Sequence, residues 1–138
     1  MELPILRTTE NAFATLAISA SLSQSLGYNV YTGISNLDKL APAIICFAES
    51  ATEDFPFSAI YHVRTHVIVK EMAADTDPNT GSFADNIFAS FCNNNTKSNL
   101  NAYPNYCVYE YFIQSTNNEW NGDTHIQSMT FDVISAIG

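Results

Sequence analysis

The sequence predicts an α+β fold, with two helices packed on a mostly antiparallel sheet in a single domain spanning residues 1–138. Three observations predict it. Apolar residues recur at helical spacing in two stretches, after Glu10 and after Ser82. Elsewhere apolar and polar residues alternate or form short apolar runs, as strands do. The order of elements is helix, short strand, strand, long strand, helix, strand, strand, with no repeat and no linker. A chain of 138 residues can bury a core without disulfide or metal staples.

The first helix is predicted from Glu10 to Leu26. Thr8 or Thr9 caps it, Glu10 complements the dipole, and Phe13, Leu16, Ala17 and Ala20 form the inner stripe, widened by Ile18, Leu22 and Leu26. Gly27 stops it. Asn29–Thr32 is a short strand leading into a turn at Gly33–Lys39, and Ala43–Ala48 is a strand buried on both faces. Glu49–Pro56 reads as an acidic loop. The strand from Ile60 to Glu71 reaches roughly 40 Å at about 3.3 Å per residue. A domain of this length has a radius of gyration of about 14 Å, so the strand crosses the domain or runs past its edge. Asp75–Gly81 is a loop, and the second helix runs from Ser82 to Cys92 with Phe83, Ile87, Phe88 and Phe91 inward. Asn93–Pro104 is polar and irregular. Two strands, Tyr106–Gln114 and Thr124–Ile134, close the chain through a hairpin at Asn121-Gly122.

The long strand is the most informative segment. Tyr61, Val63, Thr65, Val67 and Val69 fall on one face; His62, Arg64, His66 and Lys70 fall on the other. The chain holds only five Lys/Arg and three His against fourteen Asp/Glu, so this face collects an unusual share of its cations. A net charge of −9 argues against a nucleic-acid-binding surface. An acidic wall instead lets nucleic acid pass without sticking. Charged residues make up only 14%, and a surface of neutral polar groups suits a protein that hides much of itself in an assembly.

Motifs of catalysis and metal binding are absent or imperfect. His62 and His66 cannot share one ion from a strand, where their spacing separates them by roughly 13 Å. Asp75, Asp77 and Asn79 imitate a calcium loop, but Thr80 stands where the turn glycine belongs and Asn86 where the bidentate Glu belongs. Cys46, Cys92 and Cys107 read as reduced core thiols. His62 with Asp132, or His125 with Asp123, could form an acid–base pair in a pocket. Tyr109, Tyr111 and Ile113 alternate with Val108, Glu110 and Phe112, making a strand apolar on both sides, and Trp120 beside the hairpin turn is a candidate contact residue.

The whole resembles the tail-terminator (tail-completion, head–tail joining) family of tailed bacteriophages. The resemblance rests on the N-terminal helix through Gly27, the Pro42–Phe47 strand and the long strand ending in "VKEMAADTD". It continues in the Phe-rich helix Ser82–Cys92 and the closing "YCVYEYFIQS…NGDTHIQSMTFDVISAI" hairpin. The family implies a structural virion protein with no catalytic residues and no cofactor. It forms a homo-oligomeric ring, commonly a hexamer, that caps the tail tube, ends its growth and meets the neck and connector proteins while DNA passes through. That places it in the virion, assembled in the bacterial cytoplasm. Its sealing edges and loops map onto Ile60–Met72 and the Asp75–Gly81 loop. On this reading His62, Arg64, His66 and Lys70, with Glu53, Asp54, Asp75, Asp77 and Trp120, lie at or near a subunit interface, the cations facing an acidic neighbour. Rival readings are a tube or neck subunit of such a phage, and a cone-shaped α+β small-ligand protein or enzyme.

Overall fold

The computed structural model describes residues 4–23, 29–40, 42–72, 83–93 and 95–137. Helix α1 spans Pro4–Ser23 and starts earlier than the capping pattern predicts. Proline suits a first helical turn because its missing N–H would have no partner there. Thr9 and Glu10 are therefore interior positions, and both turn inward: the Thr9 hydroxyl donates to the Tyr106 hydroxyl at 3.1 Å, and Glu10 Oε2 accepts the Ala48 N–H at 2.9 Å. Ile5, Phe13 and Ala17 are buried, whereas Ile18, expected to widen the stripe, is 46% exposed. The predicted stop at Gly27 lies outside the described residues.

Strand β1 (Asn29–Thr32) has the predicted bounds, and β2 (Ala43–Glu53) runs past its predicted end at Ala48. A bulge at Glu49 absorbs one residue, and Ser50–Glu53 then continue to pair, so half of the predicted acidic loop is strand. Ladder pairing with the next strand overrides the acidic composition. That strand, β3 (Tyr61–Met72), is followed by α2 (Phe83–Ala89) and α3 (Thr96–Asn101), then β4 (Tyr106–Asn121) and β5 (Thr124–Ile137). Among the described residues five strands make one sheet ordered β1-β2-β3-β5-β4, in which only the β1–β2 pair is parallel. The fold is α+β, and the long strand is the central one.

Helix α3 lies where an irregular segment is predicted. Its sequence is polar; it is anchored by buried Leu100 and by Thr96, whose hydroxyl donates to the Ser90 carbonyl at 3.1 Å.

The helices cover one face of the sheet. Phe13, Phe91 and Phe131 meet there with ring centroids 5.5–5.9 Å apart, surrounded by Ile44, Val63, Val67, Val69 and Val133. Part of the second face is covered too. Lys70 donates to the Leu37 and Lys39 carbonyls, which ties the connection between β1 and β2 to this face, where Ala43 and Ile45 are fully buried.

Strands β4 and β5 are joined by the two-residue loop Gly122-Asp123, with Gly122 at φ 62. A glycine at the first loop position matches the II′ hairpin turn, which needs positive φ there. A Cβ on Gly122 would meet nothing within 4 Å, so replacement strains only the backbone. Gly122→Ala is expected to cost about 1 kcal/mol, read as a lower urea midpoint at unchanged slope.

Bulges between Val108 and Glu110 and between Ile113 and Ser115 interrupt β4. They correct the predicted alternation: Val108 and Tyr111 both pack on the helix-covered face, because the extra residue at Tyr109 shifts the phase.

Candidate functional site

The second face of β3 carries His62, Arg64, His66 and Lys70, as the period of a strand requires. Register brings each to a partner within the same chain. His62 is held on both sides, with Nε2 2.9 Å from Asp54 Oδ1 and Nδ1 3.1 Å from Asp132 Oδ2. Arg64 Nε lies 3.1 Å from Glu49, which also stands 3.8 Å from His66 Nε2. Lys70 is committed to the two carbonyls already described. His62 and Arg64 thus meet their acids inside one subunit, on β2, on the turn after it and on β5.

The two stripe histidines differ. Hydrogen bonds to Asp54 and then Asp132 push the His62 pKa up. Burial pushes the His66 pKa down, with Glu49 only partly opposing it. His66 stacks on Phe47 at 4.6 Å, and its Nδ1 is 3.0 Å from the Thr130 hydroxyl, so it serves as packing as much as charge. The Arg64–Glu49 pair is about half exposed at both ends, and such pairs contribute roughly 0–1 kcal/mol.

Of the other predicted contact residues, Glu53 accepts the Ala59 N–H at 3.4 Å, and Asp54 is the His62 partner. Asp75 and Asp77 lie outside the described residues. Trp120 is 54% exposed and stacks on His125 at 4.7 Å. His125 does not turn to Asp123. Its Nδ1 lies 2.6 Å from Glu71 Oε1, and its Nε2 faces Asn118. Glu71 and His125 are both buried. The signal for this pair is an acid that keeps step with Val63, Val67 and Val69 on the core face.

The cysteines also diverge from expectation. Cys46 is buried, and burial pushes its pKa to about 12, whereas Cys92 is exposed and Cys107 only partly covered.

The sheet margins are the features that sequence reasoning misses. Among the described residues β4 has no strand on its outer side. Its first part is closed by α3: the Asn101 amide donates to the Val108 carbonyl at 3.2 Å and accepts the Val108 N–H at 2.6 Å. Past that point Glu110 Oε1 accepts the Tyr111 N–H at 3.2 Å and Asn117 Oδ1 the Asn118 N–H at 2.9 Å. The rest of the edge is open among the described residues and carries Phe112, Ile113 and Trp120, all about half exposed. At the opposite margin β1 pairs with β2 only as far as Cys46, and Glu10 closes the next outward group at Ala48. Ser50–Glu53 then have no strand on their outer side among the described residues.

A hollow of about 410 Å³ lies between α1 and the Gly33–Ser35 segment, but its carboxylate, Glu10, accepts the Ala48 N–H. The His62–Asp132 pair is on the open sheet face, away from that hollow. No protein-family model matches the chain, and no curated protein matches it.

Proposed function

We propose that the protein is a structural virion subunit of the tail-terminator type, a ring-forming protein at the head-proximal end of a phage tail tube that ends tube growth and joins tail to neck. The observation that carries the ring is the pair of edges open among the described residues at opposite margins of one sheet, β4 beyond Tyr111 and β2 at Ser50–Glu53. Unlike edges favour a heterologous contact, in which one margin of a subunit meets the other margin of the next, and such contacts close into rings when the rotation allows. Strand addition supplies main-chain hydrogen bonds, and the exposed Phe112, Ile113 and Trp120 supply apolar area.

This reading moves the weight of the interface from charge to edges. His62 and Arg64 have their acids at home and Lys70 its carbonyls, so complementarity between subunits rests on backbone pairing and aromatic contact. The surplus of acid has a role of its own: six copies at −9 each carry about −54, and acids facing a channel repel passing DNA. Tube and neck proteins are the proposed partners above and below.

Light scattering after size exclusion tests the ring. A closed species of several subunits is expected, and Ile113→Lys is expected to return it to folded monomer by placing a charge on the open edge. A wild-type protein that stays monomeric or dimeric at high concentration overturns the ring. Unlimited polymerisation in electron micrographs would assign the protein to the tube instead.

A further inference from the structure

The turn from β2 to β3 is held in an expensive shape. Phe57 and Ala59 have φ of 63 and 59, a left-handed conformation that non-glycine residues rarely adopt. Such strain persists only where surrounding bonds impose it, and it clusters at working parts of proteins. The bonds are present: the Asp54 N–H donates to the Ile60 carbonyl at 2.8 Å, the Ile60 N–H to the Ser58 hydroxyl at 3.2 Å, and the Ala59 N–H to Glu53. What the turn presents is apolar, with Phe57 98% exposed and Phe55 57% exposed.

One side chain ties this turn to the rest of the sheet. His62 reaches Asp54 at the start of the turn and Asp132 on β5, one carboxylate at each ring nitrogen. Ionised carboxylates only accept hydrogen bonds, and a neutral imidazole has a single N–H to give. Both contacts can be hydrogen bonds at once only when the ring is an imidazolium. We propose that His62 is a proton-operated clasp: protonated, it fastens the Phe57-bearing turn to β5 through Asp54 and Asp132; deprotonated, it gives up one carboxylate and the turn loosens. The proposal does not depend on the ring reading.

The surroundings favour the charged form. Arg64, one step along the same face, is the cross-strand partner of Asp132 and is occupied by Glu49. On β2 the residue opposite His62 is Thr52, which is uncharged. On β5 it is Ile134, and beyond it on β4 stands Glu110, another acid. Hydrogen bonding to Asp54 and Asp132 raises the pKa above the ordinary 6.5, so the clasp is complete below that value and is lost as pH rises through the raised one. His66 shifts the other way and titrates separately.

Amide hydrogen exchange followed by NMR, with the histidine rings titrated in the same samples, tests the clasp. After correction for the intrinsic pH dependence of exchange, protection at Asp54, Ala59 and Ile60 is expected to fall roughly two- to tenfold across the His62 titration, the equivalent of one hydrogen bond. In His62→Gln it should be low and flat with pH. In Asp132→Asn the transition should move to lower pH, because one of the two charges that favour the imidazolium is gone. A flat wild-type profile, or the same fall in His62→Gln, overturns the proposal. Should His62→Gln fail to fold, an unshifted transition in Asp132→Asn overturns it equally.

Discussion

Phe131→Ala is expected to remove about 3–5 kcal/mol of stability, a large share of the roughly 5–15 kcal/mol that holds a domain together. The residue is fully buried on β5, and its ring lies 5.5 Å from Phe13 of α1, 5.9 Å from Phe91 after α2 and 6.3 Å from Tyr111 of β4. Truncation loses its own transfer energy and leaves a cavity between α1 and the sheet that neither can readily fill. Phe131→Leu keeps most of the volume and should cost about 1.5 kcal/mol or less. Urea denaturation separates the two, and equal midpoints for Ala and Leu would contradict the packing described.

His125→Ala is expected to be comparably severe, at about 3–5 kcal/mol, for a different reason. Glu71 is fully buried, and His125 stands 2.6 Å from it. Removing the imidazole takes a hydrogen-bond partner from a carboxylate buried away from water and strips Trp120 of the ring it stacks on. The penalty is one of desolvation, so removing the buried acid as well should relieve it. Glu71→Leu with His125→Leu is expected to recover most of the loss, and a double variant as unstable as the single would show that packing, not charge, dominates the site. Salt should affect the single variant little, since buried charges are weakly screened.

The core of this fold is legible in sequence where a period is uninterrupted. The alternation on β3 gives Val63, Val67 and Val69 to one face and the basic stripe to the other, and helical spacing finds Phe13, Ala17, Ile87 and Phe91. Legibility stops where a single residue changes phase. The bulges at Glu49 and Tyr109 have no compositional mark, yet they decide how far β2 runs and which face Tyr111 takes. Helix α3 escapes notice because Leu100 alone anchors its polar sequence on the apolar side. The stripe is readable as a face, but its partners are not. Asp54, Glu49 and Asp132 come from the turn, from β2 and from β5, and only register can bring them to His62 and Arg64.

One small contact has a wider consequence. By filling both the donor and the acceptor of Val108, the Asn101 amide acts as a counterfeit strand one residue long. A strand arriving from another molecule finds that rung taken and must begin farther along, beyond Tyr111, whose N–H is held by Glu110 Oε1. Because side chains alternate, a fixed starting rung also fixes which of the newcomer's residues point to each side. The half-closed edge is thus a ruler with its zero mark engraved: it sets the alignment of whatever binds as well as offering the room to bind.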